Sequence, residues 1–188
     1  MSDVPKCEGD AALVETRIDG AAVFDGALLH VRRDRVRLPD GGVALREYVV
    51  HPGAVLIVPV MDDGRYVMER QFRYPLARVF VEFPAGKIDP GEAPMATAQR
   101  ELAEEAGYTA AHWRRLGVIH PVISYSTEFI EMWRADGLHH VGRKLDDGEF
   151  LEIVAWTHDD LLAAFDRGEI TDAKTVAALF VLDRERRR

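Results

Sequence analysis

Between Gly86 and Gly107 the chain sets Glu92, Arg100, Glu101, Glu104 and Glu105 among the apolar residues Met95, Ala98, Leu102 and Ala106. No other stretch constrains the fold as much. At about 100° per residue, Glu101, Glu104 and Glu105 fall within an arc of roughly 100° on a helix, while the apolar residues recur at spacings of three and four and form the neighbouring stripe. One face packs and the next presents acid. Asp89-Pro90-Gly91 reads as a turn, Pro94 suits the first helical turn and Gly107 suits the left-handed position after the last. A helix is therefore predicted from Ala93 to Ala106.

Three like charges on one short face repel each other, and Arg100, placed to reach Glu104 at i+4, neutralises only part of that charge. A cation would supply the rest. Oxygen-only ligands, few per ion, favour Mg²⁺ or Mn²⁺, hard cations that keep waters and share their shells with substrate phosphates. Taken alone, Arg100-Glu-Leu-Ala-Glu-Glu105 is what a solvated charged face looks like, but it is not alone. From Gly86 the chain reads Gly, five residues, Glu92, seven residues, Arg100-Glu101, an apolar residue, any residue, Glu104-Glu105, any residue, Gly107 and an apolar residue. With each fixed type used at roughly 5 to 7%, seven such matches by chance are far rarer than one in a million. The run resembles the signature of the Nudix hydrolases at every fixed position. The resemblance implies an α/β/α sandwich around a mixed sheet, with this segment forming a loop-helix-loop at the catalytic edge. It also implies that Glu101, Glu104 and Glu105 are metal ligands.

Composition narrows the alternatives. The 188 residues, 47% of them hydrophobic, suffice for one principal core. A net charge of -8 argues against nonspecific binding to nucleic acid or anionic membrane, since the basic cluster is confined to Arg184, Arg186, Arg187 and Arg188. The single cysteine, Cys7, excludes an internal disulfide and fits a reducing cytoplasm. The first ten residues lack an apolar signal core, and the strongest apolar run, Ala54 to Met61, is too short to span a bilayer. A soluble cytoplasmic protein is expected.

Along the chain, residues 1–12 read as a disordered tail, 13–50 as a small N-terminal antiparallel β-sheet, 51–184 as the catalytic domain and 185–188 as a basic tail. Leu38-Pro39-Asp40-Gly41-Gly42 reads as a hairpin between strands at Leu28 to Val36 and Val43 to Val50. Further strands are predicted at Ala54 to Val60, Tyr66 to Phe72 and Val79 to Phe83, then at Trp113 to His120, Thr127 to Ala135 and Phe150 to Trp156, with a loop at Leu138 to Gly148. Two helices follow, capped by Thr157 or Asp159 and by Asp172, the first ended by Gly168. Short strands, one charged mid-chain helix and terminal helices make an α+β layered domain.

Flanking residues point to one branch of the family. Arg70-Gln-Phe-Arg73, Glu82-Phe-Pro-Ala-Gly86, Asp147-Gly-Glu-Phe-Leu-Glu152 and Gly168-Glu-Ile-Thr-Asp-Ala-Lys-Thr175 resemble the ADP-ribose and nucleoside-diphosphate-sugar pyrophosphatases over roughly Val43 to Val181. By that resemblance Arg73 grips substrate phosphate, a task suited to a planar guanidinium, and the Ala85 backbone carbonyl joins the metal shell. Glu82 is a second substrate-side candidate. Glu149 matches the loop glutamate that serves as general base in several members, with Glu152 its nearby rival, and Glu101 and Glu105 complete the catalytic set. Gly86, Glu92, Arg100 and Gly107 are expected to brace the loop and helix. The chain departs from the branch at His120-Pro-Val-Ile-Ser-Tyr-Ser126, where the usual Ser-Pro-Gly turn is missing. His120, His139 and His140 lack ligand spacing and read as packing or loop residues.

The expected activity is Mg²⁺-dependent hydrolysis of a nucleoside diphosphate sugar, ADP-ribose first, giving AMP and ribose 5-phosphate. Its rivals are another nucleoside-diphosphate-sugar or dinucleotide pyrophosphatase, or a non-catalytic sensor of the same fold. The resemblance also implies a homodimer built through the N-terminal sheet.

Overall fold

The computed structural model describes residues 10–187 apart from Asp146, so Cys7 and most of the expected N-terminal tail lie outside the described residues. The chain divides into two compact units, one running through His51 and adding Val122–Glu128, the other comprising Pro52–Pro121 and the chain from Phe129 onward.

In the first unit, a single 3₁₀ turn at Asp10–Ala12 precedes an antiparallel sheet of β1 (Thr16–Asp25), β2 (His30–Arg37) and β3 (Val43–Val50) in that order. The turn between β2 and β3 closes with Leu38 N–H on the Gly42 carbonyl at 2.8 Å, and Gly41 takes φ 88°, a left-handed value that glycine adopts freely. The outer edge of β3 is covered by residues 122–128, through Val49 N–H to the Tyr125 carbonyl at 2.8 Å and Thr127 N–H to the Val49 carbonyl at 3.0 Å. All ten residues of β1 remain exposed.

The second unit is a seven-stranded mixed sheet. β10 (Leu151–Trp156), β5 (Tyr66–Arg73), β4 (Ala54–Val60), β9 (Ile130–His140) and β8 (Tyr108–Ile119) lie in that order, with β6 (Arg78–Glu82) added to β5 and β7 (Ala85–Lys87) to β4. β4 and β9 are parallel; the other pairs are antiparallel. β4 is buried at every residue, as a strand covered on both faces must be. Its alternate side chains divide two cores. Val55 and Ile57, with Val67 of β5, pack against Ala98, Leu102 and Ala106 of the mid-chain helix, whereas Leu56 and Val58 pack with Leu161, Ala164, Ala178, Leu179 and Leu182 of the terminal helices. Helices therefore cover both faces of a mixed sheet.

Those helices are α1 (Pro94–Glu101), α2 (His158–Asp166) and α3 (Ala173–Arg186). Thr157 caps α2 with a reciprocal capping box to Asp160, and the Asp172 carboxylate caps α3 by accepting from Thr175 N–H at 3.0 Å. α1 departs from the predicted span. It is α-helical only to Glu101 and continues as a π turn over Leu102–Ala106, closed by Gly107 N–H on the Leu102 carbonyl, with Gly107 at φ 77°. β8 begins before its predicted start and β9 ends beyond its predicted end, so the loop begins at Val141 rather than Leu138. Their extension comes from pairing with each other, down to Tyr108 opposite His140, across a bulge between Arg115 and Gly117 that breaks the alternation readable in sequence.

Candidate active site

α1 presents its acids over β7 because its apolar stripe is seated first. Ala98 and Leu102 are fully buried and Ala106 nearly so, which leaves Glu101, Glu104 and Glu105 turned toward the Ala85–Lys87 edge. The π turn widens the last turn by one residue, and such turns recur at functional sites. Glu101 lies against Gly86 so closely that a Cβ there would sit 1.9 Å from Glu101 Oε1. Ala85 N–H donates to Glu105 Oε2 at 3.1 Å.

Arg100 binds this corner together. Its Nη1 reaches Glu101 Oε1 at 2.9 Å and Glu104 Oε2 at 3.0 Å, its Nη2 reaches Glu92 Oε2 at 3.0 Å and the Lys87 carbonyl at 3.3 Å, and its Nε reaches Glu92 Oε1 at 3.2 Å. Glu92 also accepts from Thr97 Oγ1 at 2.8 Å. The Arg100 and Thr97 hydrogen bonds hold the Glu92 carboxyl down to about 2. Glu92 and Arg100 thus tie the loop to the helix.

β5 and the loop before β10 complete the site. Glu69, Gln71 and Arg73 share the face of β5 that carries Val67, so they point to the α1 side of the sheet. The loop after β9 is strapped to the π turn by Val141 N–H on the Gly107 carbonyl at 2.8 Å and Lys144 N–H on the Glu104 carbonyl at 3.1 Å, and Arg143 Nη1 reaches the Leu151 carbonyl at 3.1 Å. A Cβ at Gly107 would lie 2.9 Å from Arg143 Cγ, which explains a glycine there beyond its dihedral. These ties bring Glu149 over the helix acids. The resulting cavity, about 360 Å³, is lined by Arg73, Ala85, Gly86, Arg100, Glu101, Glu104, Glu105 and Glu149, with Gln71 and Lys87.

Two predicted residues lie elsewhere. Glu152 sits in the adjoining cleft, paired with Arg70 and largely exposed. Glu82 is buried behind Arg73, accepting from Arg73 Nε at 2.7 Å and Nη2 at 2.8 Å and pairing also with Lys174. Burial alone would raise the Glu82 carboxyl, but the Arg73 and Lys174 contacts outweigh it and lower the value. The fork that Glu82 makes with Arg73 fixes the guanidinium at the cavity wall. His120, His139 and His140 line none of these cavities, and the His140 ring meets Tyr108 edge-on at 5.2 Å.

Sequence reasoning passed over Gln71 and Lys87, which line the cavity, and Glu69, which lies beside them on the same face of β5 as Gln71. Glu69 is fully buried, and neither carboxylate oxygen has a hydrogen-bond partner. Its signal was a charged residue continuing the Val67 face of a strand whose first four residues are all buried. Burial pushes the carboxyls of Glu69, Glu101 and Glu105 upward, helped for Glu69 by the Glu82 charge and for Glu105 by the Glu69 charge. Among the described residues no three His, Cys, Asp or Glu side chains close into a ready-made metal cage. An open set of carboxylates suits Mg²⁺, which keeps several waters and shares its shell with phosphate, and no cation hydrogen-bonds the buried Glu69 carboxylate on the neighbouring strand.

The comparisons with known proteins agree with this geometry. Residues 50–179 match the NUDIX domain model and residues 15–49 match that of the nucleoside diphosphate sugar hydrolase N-terminal domain. The chain is 38% identical over 170 residues to an ADP-ribose pyrophosphatase of Bacillus subtilis, covering 89% of this chain and 92% of the relative. It is 36% identical over 167 residues to the methanol dehydrogenase activator of Bacillus methanolicus, covering 88% and 90% respectively. A crystal structure of an ADP compounds hydrolase superposes with a TM-score of 0.81 at 26% identity, covering 90% of this chain and 92% of the other. With the signature Glu101, Glu104 and Glu105 gathered at one cavity on a helix-covered mixed sheet, the chain belongs to the Nudix hydrolases, in their ADP-ribose and nucleoside-diphosphate-sugar pyrophosphatase branch.

Proposed function

We propose that this enzyme hydrolyses the diphosphate of ADP-ribose, consuming one water and giving AMP and ribose 5-phosphate, with Mg²⁺ or Mn²⁺ as cofactor. The observation that carries the reading is the single cavity in which Arg73, at one wall, faces Glu101, Glu104, Glu105 and Glu149. A divalent ion held by the three helix glutamates and the Ala85 carbonyl would neutralise charge on the phosphoryl oxygens and acidify a bound water. Arg73, fixed by Glu82, orients the diphosphate. Glu149, carried on a loop strapped to the π turn, takes the proton from the attacking water. Gly86 leaves Glu101 room to approach the β7 backbone.

A homodimer through the N-terminal sheet belongs to the same proposal. Ile18, Val23 and Phe24 of β1 and Val43 and Leu45 of β3 are exposed apolar side chains, and a three-stranded sheet gains by covering such a surface. The single cysteine suits a cytoplasmic setting.

The substrate is tested by a panel of ADP-ribose, other nucleoside diphosphate sugars and dinucleoside polyphosphates with Mg²⁺, with products identified. The highest kcat/KM for ADP-ribose is expected. A higher value for another member reassigns the substrate, and tight binding without turnover of any member makes the protein a sensor.

A further inference from the structure

Glu69 has no part in the reaction as described, yet its position is costly to maintain. A buried carboxylate without a hydrogen-bonding partner destabilises a fold, and an apolar residue there would simply continue the Val67 face. The cations on its own side of the sheet are committed elsewhere. Glu69 stands directly opposite Glu82 across the β5–β6 ladder, and Glu82 takes both Arg73 and Lys174. Both cations act on Glu69 from nearby, yet neither hydrogen-bonds its carboxylate oxygens. Glu69 lies on the β5 face that meets the π turn, two residues from Gln71, which lines the cavity with Glu105 and Glu149.

We infer that Glu69 is a further carboxylate of the divalent-cation site, reaching from the sheet the same ion that Glu105 reaches from the helix. The inference rests on the proposed metal-dependent function. It gives the buried charge its missing partner and makes the sheet beside the cavity, as well as its helical wall, part of the ion's surroundings. Mg²⁺ sites built from one or two carboxylates and waters have room for such a contributor, either directly or across one water.

The test is Mn²⁺ binding by the full-length protein, followed by calorimetry for wild type, Glu69→Gln, Glu69→Leu and Glu105→Gln, together with melting temperatures in chelator. Both Glu69 variants should bind Mn²⁺ about 10- to 100-fold more weakly, the range found when groups supporting a metal site are removed. In chelator they should melt no lower than wild type, because a buried unpaired charge has gone. Unchanged Mn²⁺ affinity in a folded Glu69 variant overturns the inference, and a lower melting temperature in chelator with unchanged affinity makes Glu69 a purely structural residue. Wild-type crystals soaked in Mn²⁺ serve even if neither variant folds. An ion in contact with the Glu69 carboxylate, or one water away, supports the inference, and an ion farther off overturns it. Wild-type binding that depends on Glu105 but not on Glu69 removes this inference alone, whereas absence of Mn²⁺ binding by wild type removes the functional reading with it.

Discussion

At the scale of single residues, Glu149 and Glu152 separate cleanly. Glu149 lies in the loop just before β10 and Glu152 within that strand, yet only Glu149 lines the cavity with the helix glutamates, while Glu152 pairs with Arg70 on the adjoining surface. Glu149→Gln should lower kcat by about 10²-fold or more, within the range for loss of a general base, and leave Mn²⁺ affinity nearly intact. Glu152→Gln should change little, since exposed ion pairs contribute about 0–1 kcal/mol. Steady-state kinetics on the two variants checks both, and a reversal of the two effects moves the base to Glu152. Glu92 carries a pH signature. Its folded value of about 2 lies below the ordinary 4.5, so the folded state binds fewer protons in that interval and the contribution is present above about 4.5 and lost as pH falls through about 2. The stability gap between wild type and Glu92→Gln, from chemical denaturation across pH, should be open at neutral pH and close on acidification.

At the scale of elements, the mid-chain helix was legible because its apolar stripe, its proline and its terminal glycine all agree with one another. Its π turn was not, since widening a helix by one residue leaves Leu102 and Ala106 on the same buried stripe and changes only where Glu104 and Glu105 point. The acids of the site were readable from their spacing, whereas Glu69 was hidden. Its role depends on which strand lies opposite and on where Arg73 and Lys174 spend their charge, which is tertiary information. Gly86 stands between these cases, fixed by the signature and explained only by the contact it allows. Gly86→Ala places a Cβ against the Glu101 carboxylate, the movable end of a side chain, so the fold should survive while Glu101 is displaced. The expected outcome is a near-native melting temperature with kcat reduced by at least about 10-fold, the scale of misplacing a group in an active site. Wild-type kcat would show that Glu101 works from another position.

At the scale of the whole molecule, the N-terminal sheet exposes Ile18, Val23, Phe24, Val43 and Leu45, with every residue of β1 exposed. Isologous pairing is the commonest way for a soluble chain to cover such a surface. Light scattering on the full-length protein should give the mass of a dimer, and a chain beginning at Pro52 should run as a monomer. A full-length monomer at micromolar concentration, or a shortened chain that still dimerises, removes the sheet from the interface. Whether the cavity beneath α1 breaks a diphosphate with the help of a divalent ion is decided by incubating full-length protein with ADP-ribose in chelator, restoring Mg²⁺, and resolving the products. The expected result is no turnover in chelator, equal amounts of AMP and ribose 5-phosphate once Mg²⁺ is present, and a kcat at least about 10²-fold lower for Glu105→Gln, the scale of lost transition-state electrostatics. ADP-ribose left intact with Mg²⁺ present, or turnover that persists undiminished in chelator, contradicts it.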